Sequence, residues 1–284
     1  MASVAMPKEP PVVSGEKDLK NNFVTAKTTR VAVVVEYNGS RYHGFQLQKG
    51  PETIQGELEK ALKALTGENI RVAASSRTDS GVHAGGQVAS FGTKSLLATK
   101  VFINGLNYYL PADIAVKAAY RVDDGFNVRR NAVGREYRYS ILNSKTRSPL
   151  QDDYCYRVGG ELNAEVMNEA AEVLIGRHDF ASFASNLGDE LKSTVRRVYR
   201  AQVAREGEMV IFNMHANAFL PHQVRNTIGS LIMVGLGKMT KDCFHSIMEA
   251  RKMGLAGPAA PACGLCLVKV NYKKNLKEYD VENL

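Results

Sequence analysis

The stretch Ile70-Arg-Val-Ala-Ala-Ser-Ser-Arg-Thr-Asp-Ser-Gly-Val-His-Ala-Gly-Gly-Gln-Val-Ala-Ser-Phe91 alternates at its start, turns polar in the middle and resumes an apolar pattern at its end. Ile70, Val72 and Ala74 share one face of a first strand, and Gln87 to Phe91 form a second. The polar segment from Ser75 to Gly81 is therefore a strand-to-strand loop, and it carries Asp79. Gly81, Gly85 and Gly86 let backbone approach a ligand closely, so a short carboxylate here can face a cleft. Asp and Gly are also ordinary turn residues, and closing an Asx turn is the plainer use of Asp79 taken alone.

Upstream, Val31-Ala-Val-Val-Val-Glu-Tyr37 is a dense β-branched run ending at Asn38-Gly39, which reads as a buried strand and a turn. Thr53 is a helix N-cap, Ile54, Leu58, Leu62 and Leu65 form one apolar face, and Gly67 ends the helix. Downstream, the spacing predicts a helix over 98–109 and strands over Ile114–Val122 and Glu136–Leu142. A second set follows: a helix over Asn163–Ile175, a hairpin over Val195–His215 turning at Glu206-Gly207, helices over Pro221–Leu236 and Lys241–Lys252, and a terminal strand. The class is α+β, with two similar mixed α/β halves whose antiparallel sheets form a basic central cleft. The N-terminal α/β domain spans 29–145 and carries the Asp79 loop; the C-terminal one spans 146–284. Residues 1–28 mix Pro, Lys, Glu, Ser and Asn without periodicity and read as a flexible tail.

The 284 residues are 44% apolar, enough for an ordinary core, and the net charge of +8 favours a polyanionic partner without identifying it. No run of about eighteen apolar residues spans a bilayer and no secretory core opens the chain, so a cytoplasmic protein without membrane contact is expected. Four cysteines are too few and scattered for a disulfide framework. Cys263-Gly-Leu-Cys266 opens a strand, where residues three apart face opposite ways, so it reads as a pair of small buried hydrophobes and no metal site is predicted. Gly235-Leu-Gly237 and Gly85-Gly86 match neither a dinucleotide fingerprint nor a P-loop.

Arg77-Thr78-Asp79-Ser80-Gly81-Val82-His83-Ala84 resembles the signature loop of the TruA family of tRNA pseudouridine synthases. It departs only in Ser76, where Gly is usual, and Ser80, where Ala is usual. The resemblance extends to Tyr37-Asn-Gly-Ser-Arg-Tyr-His-Gly-Phe-Gln46, Thr53-Ile-Gln-Gly-Glu-Leu-Glu59, Gly176-Arg-His-Asp-Phe-Ala-Ser-Phe183 and Ala218-Phe-Leu-Pro-His-Gln-Val-Arg-Asn-Thr-Ile-Gly229, in the family's order. Phe45 stands where Trp is frequent and Gln223 where Met is frequent.

The resemblance implies the pseudouridine synthase fold and an isomerase that turns uridine into pseudouridine in the anticodon stem-loop of tRNA, at positions 38–40, without a cofactor. It implies a homodimer that holds one tRNA across both subunits. Asp79 matches the essential aspartate, acting either as nucleophile on C1′ or as base at C2′; both need an ionised carboxylate, and Arg225 is nominated as its partner. Tyr137 matches the active-site tyrosine that stacks on the flipped uracil, and Arg77 an arginine that helps force the nucleotide out of its stack. On their residues alone, Tyr137 is a core aromatic, Arg225 a surface helix arginine, Arg77 a loop salt bridge, and His83, His178 and His222 hydrogen-bonded structural residues. Strand alternation is expected to put the rings of Tyr137 and Tyr139 on one face and Arg135 and Arg138 on the other. Arg129, Arg130, Arg135, Arg138, Lys145 and Arg147, then Lys192, Arg196, Arg197, Arg200 and Arg205, read as phosphate-facing stripes. The competing class is a non-catalytic RNA-binding module or RNA chaperone on the same fold.

Overall fold

The computed structural model describes residues 28–185, 187 and 193–280. The expected tail and Lys192 lie outside the described residues, apart from Thr28. Strand β1 (Thr29–Tyr37) leads to helix α1 (Ile54–Thr66), the short β2 (Ala73–Ala74), β3 (His83–Thr93), α2 (Thr99–Tyr109), β4 (Ile114–Val122) and β5 (Ala132–Leu142). Then come β6 (Tyr156–Arg157), α3 (Ala164–Glu172), β7 (Gly176–Asp179), the hairpin β8 (Val195–Glu206) and β9 (Met209–Ala216), α4 (Gln223–Gly235), α5 (Lys241–Ala250) and β10 (Leu265–Tyr272).

Local signals set several of these bounds. The Thr53 side chain accepts the Gly56 N–H and Gly67 turns left-handed at φ 74°, so α1 starts and stops where its caps dictate. Ile54, Leu58, Ala61 and Leu62 are its buried face. The strand expected from Ile70 shrinks to Ala73–Ala74, because the Val72 N–H donates to the Glu59 carboxylate at 3.0 Å instead of to a neighbouring strand.

The ten strands among the described residues join one sheet in the order β4-β1-β3-β10-β5-β9-β8-β7, with β2 beside β3 and β6 beside β5. Pairing is antiparallel except for β10 with β3 and β6 with β5. The last strand is thus the central one. Leu267 lies opposite Ala84 of β3 on one side and Tyr137 of β5 on the other. That register brings the end of the Asp79 loop and Tyr137 to the same level of the sheet. Helix α2 packs on β4 and α3 on β8, while α4 packs against α3 and α5.

Candidate active site

Asp79 sits between β2 and β3 on a loop braced by the segment that follows β1. The Phe45 N–H donates to the Thr78 carbonyl at 3.1 Å, and the Gly81 N–H and the Ser80 hydroxyl both donate to the Tyr42 carbonyl at 3.2 Å. The Tyr37 hydroxyl and Thr78 Oγ1 share a buried hydrogen bond of 2.7 Å. The two backbones are so close that side chains are excluded: a Cβ on Gly39 would lie 2.0 Å from the Val82 carbonyl oxygen, and one on Gly44 would lie 2.6 Å from that of Thr78. The Tyr37–Gln46 motif therefore acts through its backbone, as the bed on which the loop rests.

His83 belongs to that bed. The Gly39 N–H donates to its Nδ1 at 3.1 Å, which leaves the hydrogen on Nε2 to be donated to the Cys263 carbonyl at 3.0 Å. Burial holds its pKa below the ordinary imidazole value. It is a neutral, doubly bonded structural residue.

On its open side Asp79 meets the start of α4. Arg225 Nη1 lies 3.3 Å from Asp79 Oδ2, while Arg225 Nε donates to the Ala260 carbonyl at 2.8 Å. The Ala260 N–H donates back to the Arg225 carbonyl at 2.9 Å, so the guanidinium is aimed from both ends. His222, the N-cap of α4, places Nε2 3.4 Å from the same Oδ2. Asp79 thus lies beside the first turn of α4, with Arg225 and His222 both on its Oδ2 side.

Tyr137 is buried at 8% exposure and its ring meets Phe219 edge-on, with centroids 5.1 Å apart. Burial pushes its hydroxyl up to about 12, against an opposing hydrogen bond from Ser76. Asp79, Tyr137, Phe219, His222, Arg225 and Leu265 share a cavity of about 550 Å³. One wall is apolar and aromatic, the other ionic, which suits a flat base joined to a sugar. A second cavity of about 380 Å³ is lined by Arg30, Arg77, Arg129 and Arg130 and by no carboxylate among the described residues. Arg77 and Arg129 line both cavities.

The sequence profile of the tRNA pseudouridine synthase family matches residues 33–129 and 170–273. Proteins named tRNA pseudouridine synthase A are similar over nearly their whole length. That of Acetivibrio thermocellus is 43% identical over 242 residues, covering 85% of this chain and 99% of that protein. That of Thermoanaerobacter sp. (strain X514) is 41% identical, with the same coverage. The chain belongs to the tRNA pseudouridine synthase family.

In this family member the basic stripe is thinner than its sequence suggests. Alternation on β5 puts Arg135 on the face of Tyr137 and Tyr139, since all three are odd-numbered; Arg138 alone stands opposite, exposed. Arg135 is buried and donates to the carbonyls of Ser75, Arg129, Ala132 and Asn217, which leaves it no role at a phosphate. It instead ties the loop ahead of Asp79 to β5. Arg196 lines the Asp79 cavity from β8, its Nε buried without a partner among the described residues. Cys263 falls in a 3-10 turn before β10 and both Cys263 and Cys266 are half-buried, so neither is the small buried hydrophobe expected of it. His178 donates to or accepts nothing catalytic; its Nε2 lies 2.9 Å from the Ile175 carbonyl. His222, which on its residues alone reads as a hydrogen-bonded structural histidine, stands three positions before Arg225 and faces Asp79.

Proposed function

We propose that this chain is a tRNA pseudouridine synthase that isomerises uridine in the anticodon stem-loop, at positions 38–40, with Asp79 as its reacting carboxylate. The observation that carries the reading is the convergence of Asp79, Arg225 and Tyr137, from three distant parts of the sequence, on one cavity. In the reaction the bond from ribose C1′ to uracil N1 breaks, the base turns, and C1′ bonds to C5, while C5 loses a proton and N1 gains one. Asp79 either attacks C1′ or removes the C2′ proton, and the hydrogen bond from Arg225 holds its carboxylate in place for both. The detached uracil needs a dry wall to turn against, which Tyr137, Phe219 and Leu265 supply.

Arg77 stands where the two cavities meet, so it can take the place of the flipped nucleotide or hold its phosphate. Arg30, Arg129 and Arg130 then bind the phosphates of its neighbours. No cofactor enters this scheme. The reading also includes a homodimer gripping one tRNA, a cytoplasmic location, and division of the chain into units 29–145 and 146–284.

The test uses unmodified tRNA tritiated at uridine C5, because forming the carbon–carbon bond expels that label. The folded protein is expected to release tritium from the anticodon stem-loop, and Asp79→Ala to abolish release while binding tRNA nearly as well, since phosphate contacts dominate affinity. Binding without release by the unaltered protein would identify an RNA-binding module instead. Sedimentation with and without tRNA tests the dimer.

A further inference from the structure

His222 adopts φ 58° and ψ 3°, a left-handed conformation that glycine enters freely and a residue with a Cβ resists. Its neighbours enforce it. The Leu220 N–H donates to Gln223 Oε1 at 2.9 Å, the Gln223 N–H returns to the Leu220 carbonyl at 3.2 Å, and the Ser185 N–H holds the Pro221 carbonyl at 3.2 Å. The His222 carbonyl itself accepts the Asn226 N–H at 2.9 Å. Histidine enters this region more readily than most residues with a Cβ, yet at a helix N-cap it is a poor choice on local grounds. Its side chain makes no capping hydrogen bond to α4, and Ser, Thr, Asp, Asn or Gly are the residues that suit an N-cap. Backbone strain that the surroundings over-determine belongs to sites where a side chain is needed for something else. Here the ring is about a third exposed on the cavity wall, with Nε2 3.4 Å from Asp79 Oδ2.

We infer that His222 is a positioning residue for the reacting carboxylate. His222 Nε2 and Arg225 Nη1 lie 3.4 and 3.3 Å from the same oxygen of Asp79, Oδ2, and the Arg225 contact is a hydrogen bond. No hydrogen bond among the described residues holds Oδ1. Rotation of the carboxylate about its last bond is thereby stopped with Oδ1 left for the ribose. Arg225 alone, a single contact of 3.3 Å, fixes the distance but not the twist. The inference rests on Asp79 being the reacting group.

The left-handed backbone offers a test that separates positioning from structure. His222→Gly relieves the strain while removing the ring, so a residue kept only for the fold is improved by it. The variant is expected to keep or raise the melting temperature yet lose about tenfold in kcat for tritium release, with KM within about twofold. His222→Asn, which tolerates positive φ and offers an amide N–H, is expected to recover part of that loss. His222→Gly with unaltered kcat, or with its whole effect in KM, overturns the inference. A second readout needs no turnover: the ¹³C carboxyl resonance of Asp79, assigned by its loss in Asp79→Asn, is expected to move in His222→Gly. An unmoved resonance overturns the contact even if the unaltered protein proves inactive, an outcome that would itself refute the isomerase reading.

Discussion

Gly44→Ala probes the link from backbone packing to chemistry. Gly44 has φ +84°, and a Cβ there would lie 2.6 Å from the Thr78 carbonyl oxygen and 3.2 Å from the Asp79 carbonyl carbon. Ordinary contact begins near 3.4 Å, so the Asp79 loop must retreat by about 0.8 Å. The positive φ adds about 1–2 kcal/mol of strain, and retreat weakens the hydrogen bond from the Phe45 N–H to the Thr78 carbonyl, worth about 1 kcal/mol. A total of about 2–3 kcal/mol lowers the melting temperature of a chain this size by about 4–12 °C. The effect on rate is larger in proportion, because a displacement of about 1 Å at a reacting group costs about 100-fold. Tritium release, measured well below the lowered melting temperature and at saturating tRNA, is expected to fall about 30- to 100-fold in kcat. A variant that loses stability by that amount yet keeps its kcat would refute the claim that the Tyr37–Gln46 segment sets the position of Asp79.

Three further outcomes follow from the same geometry. Arg225→Lys keeps the charge but cannot hold the Ala260 carbonyl and Asp79 together, so kcat is expected to drop at least about tenfold; a rate within twofold would show that charge alone suffices. Tyr137 carries its proton to about pH 12 in the folded state, against about 10 unfolded. The folded state therefore binds the extra proton between these values, and the stability contributed is present below pH 10 and lost as pH rises to 12. Its ceiling is ~2.7 kcal/mol, and denaturant titrations of Tyr137→Phe should show a correspondingly shallower alkaline fall. Arg130→Gln should weaken tRNA binding and flatten the plot of log affinity against log salt by about 0.7–0.9, the share of one phosphate; an unchanged slope would remove Arg130 from the anion cavity's work.

Much of the fold is local and was readable. The caps at Thr53 and Gly67 act within a turn of α1, and the alternation over Ile114–Val122 gives β4 its observed ends. Where a distant group intervened, local reading failed. Glu59 reaches across from α1 to take the Val72 N–H, and a strand that looked continuous became two residues long. Counting along β5 sets Arg135 on the face of Tyr137 and Tyr139, opposite to the expected one, and its burial depends on four carbonyls, three of them supplied by other segments.

The sequence by itself determined the loop that carries Asp79 and the family through its ordered motifs, and it nominated Asp79, Arg225 and Tyr137 for the proposed site. Side-chain chemistry and short-range periodicity are written residue by residue, so they survive without the third dimension. Only the tertiary structure decided that β10 lies between β3 and β5 and so sets Tyr137 level with the Asp79 loop, 58 positions away in sequence. It alone put His222 beside the carboxylate, through a left-handed turn at an N-cap position where histidine is unusual. Those placements depend on strand pairings and turns closed across more than a hundred residues, whose energies belong to the whole sheet and to no single stretch of chain.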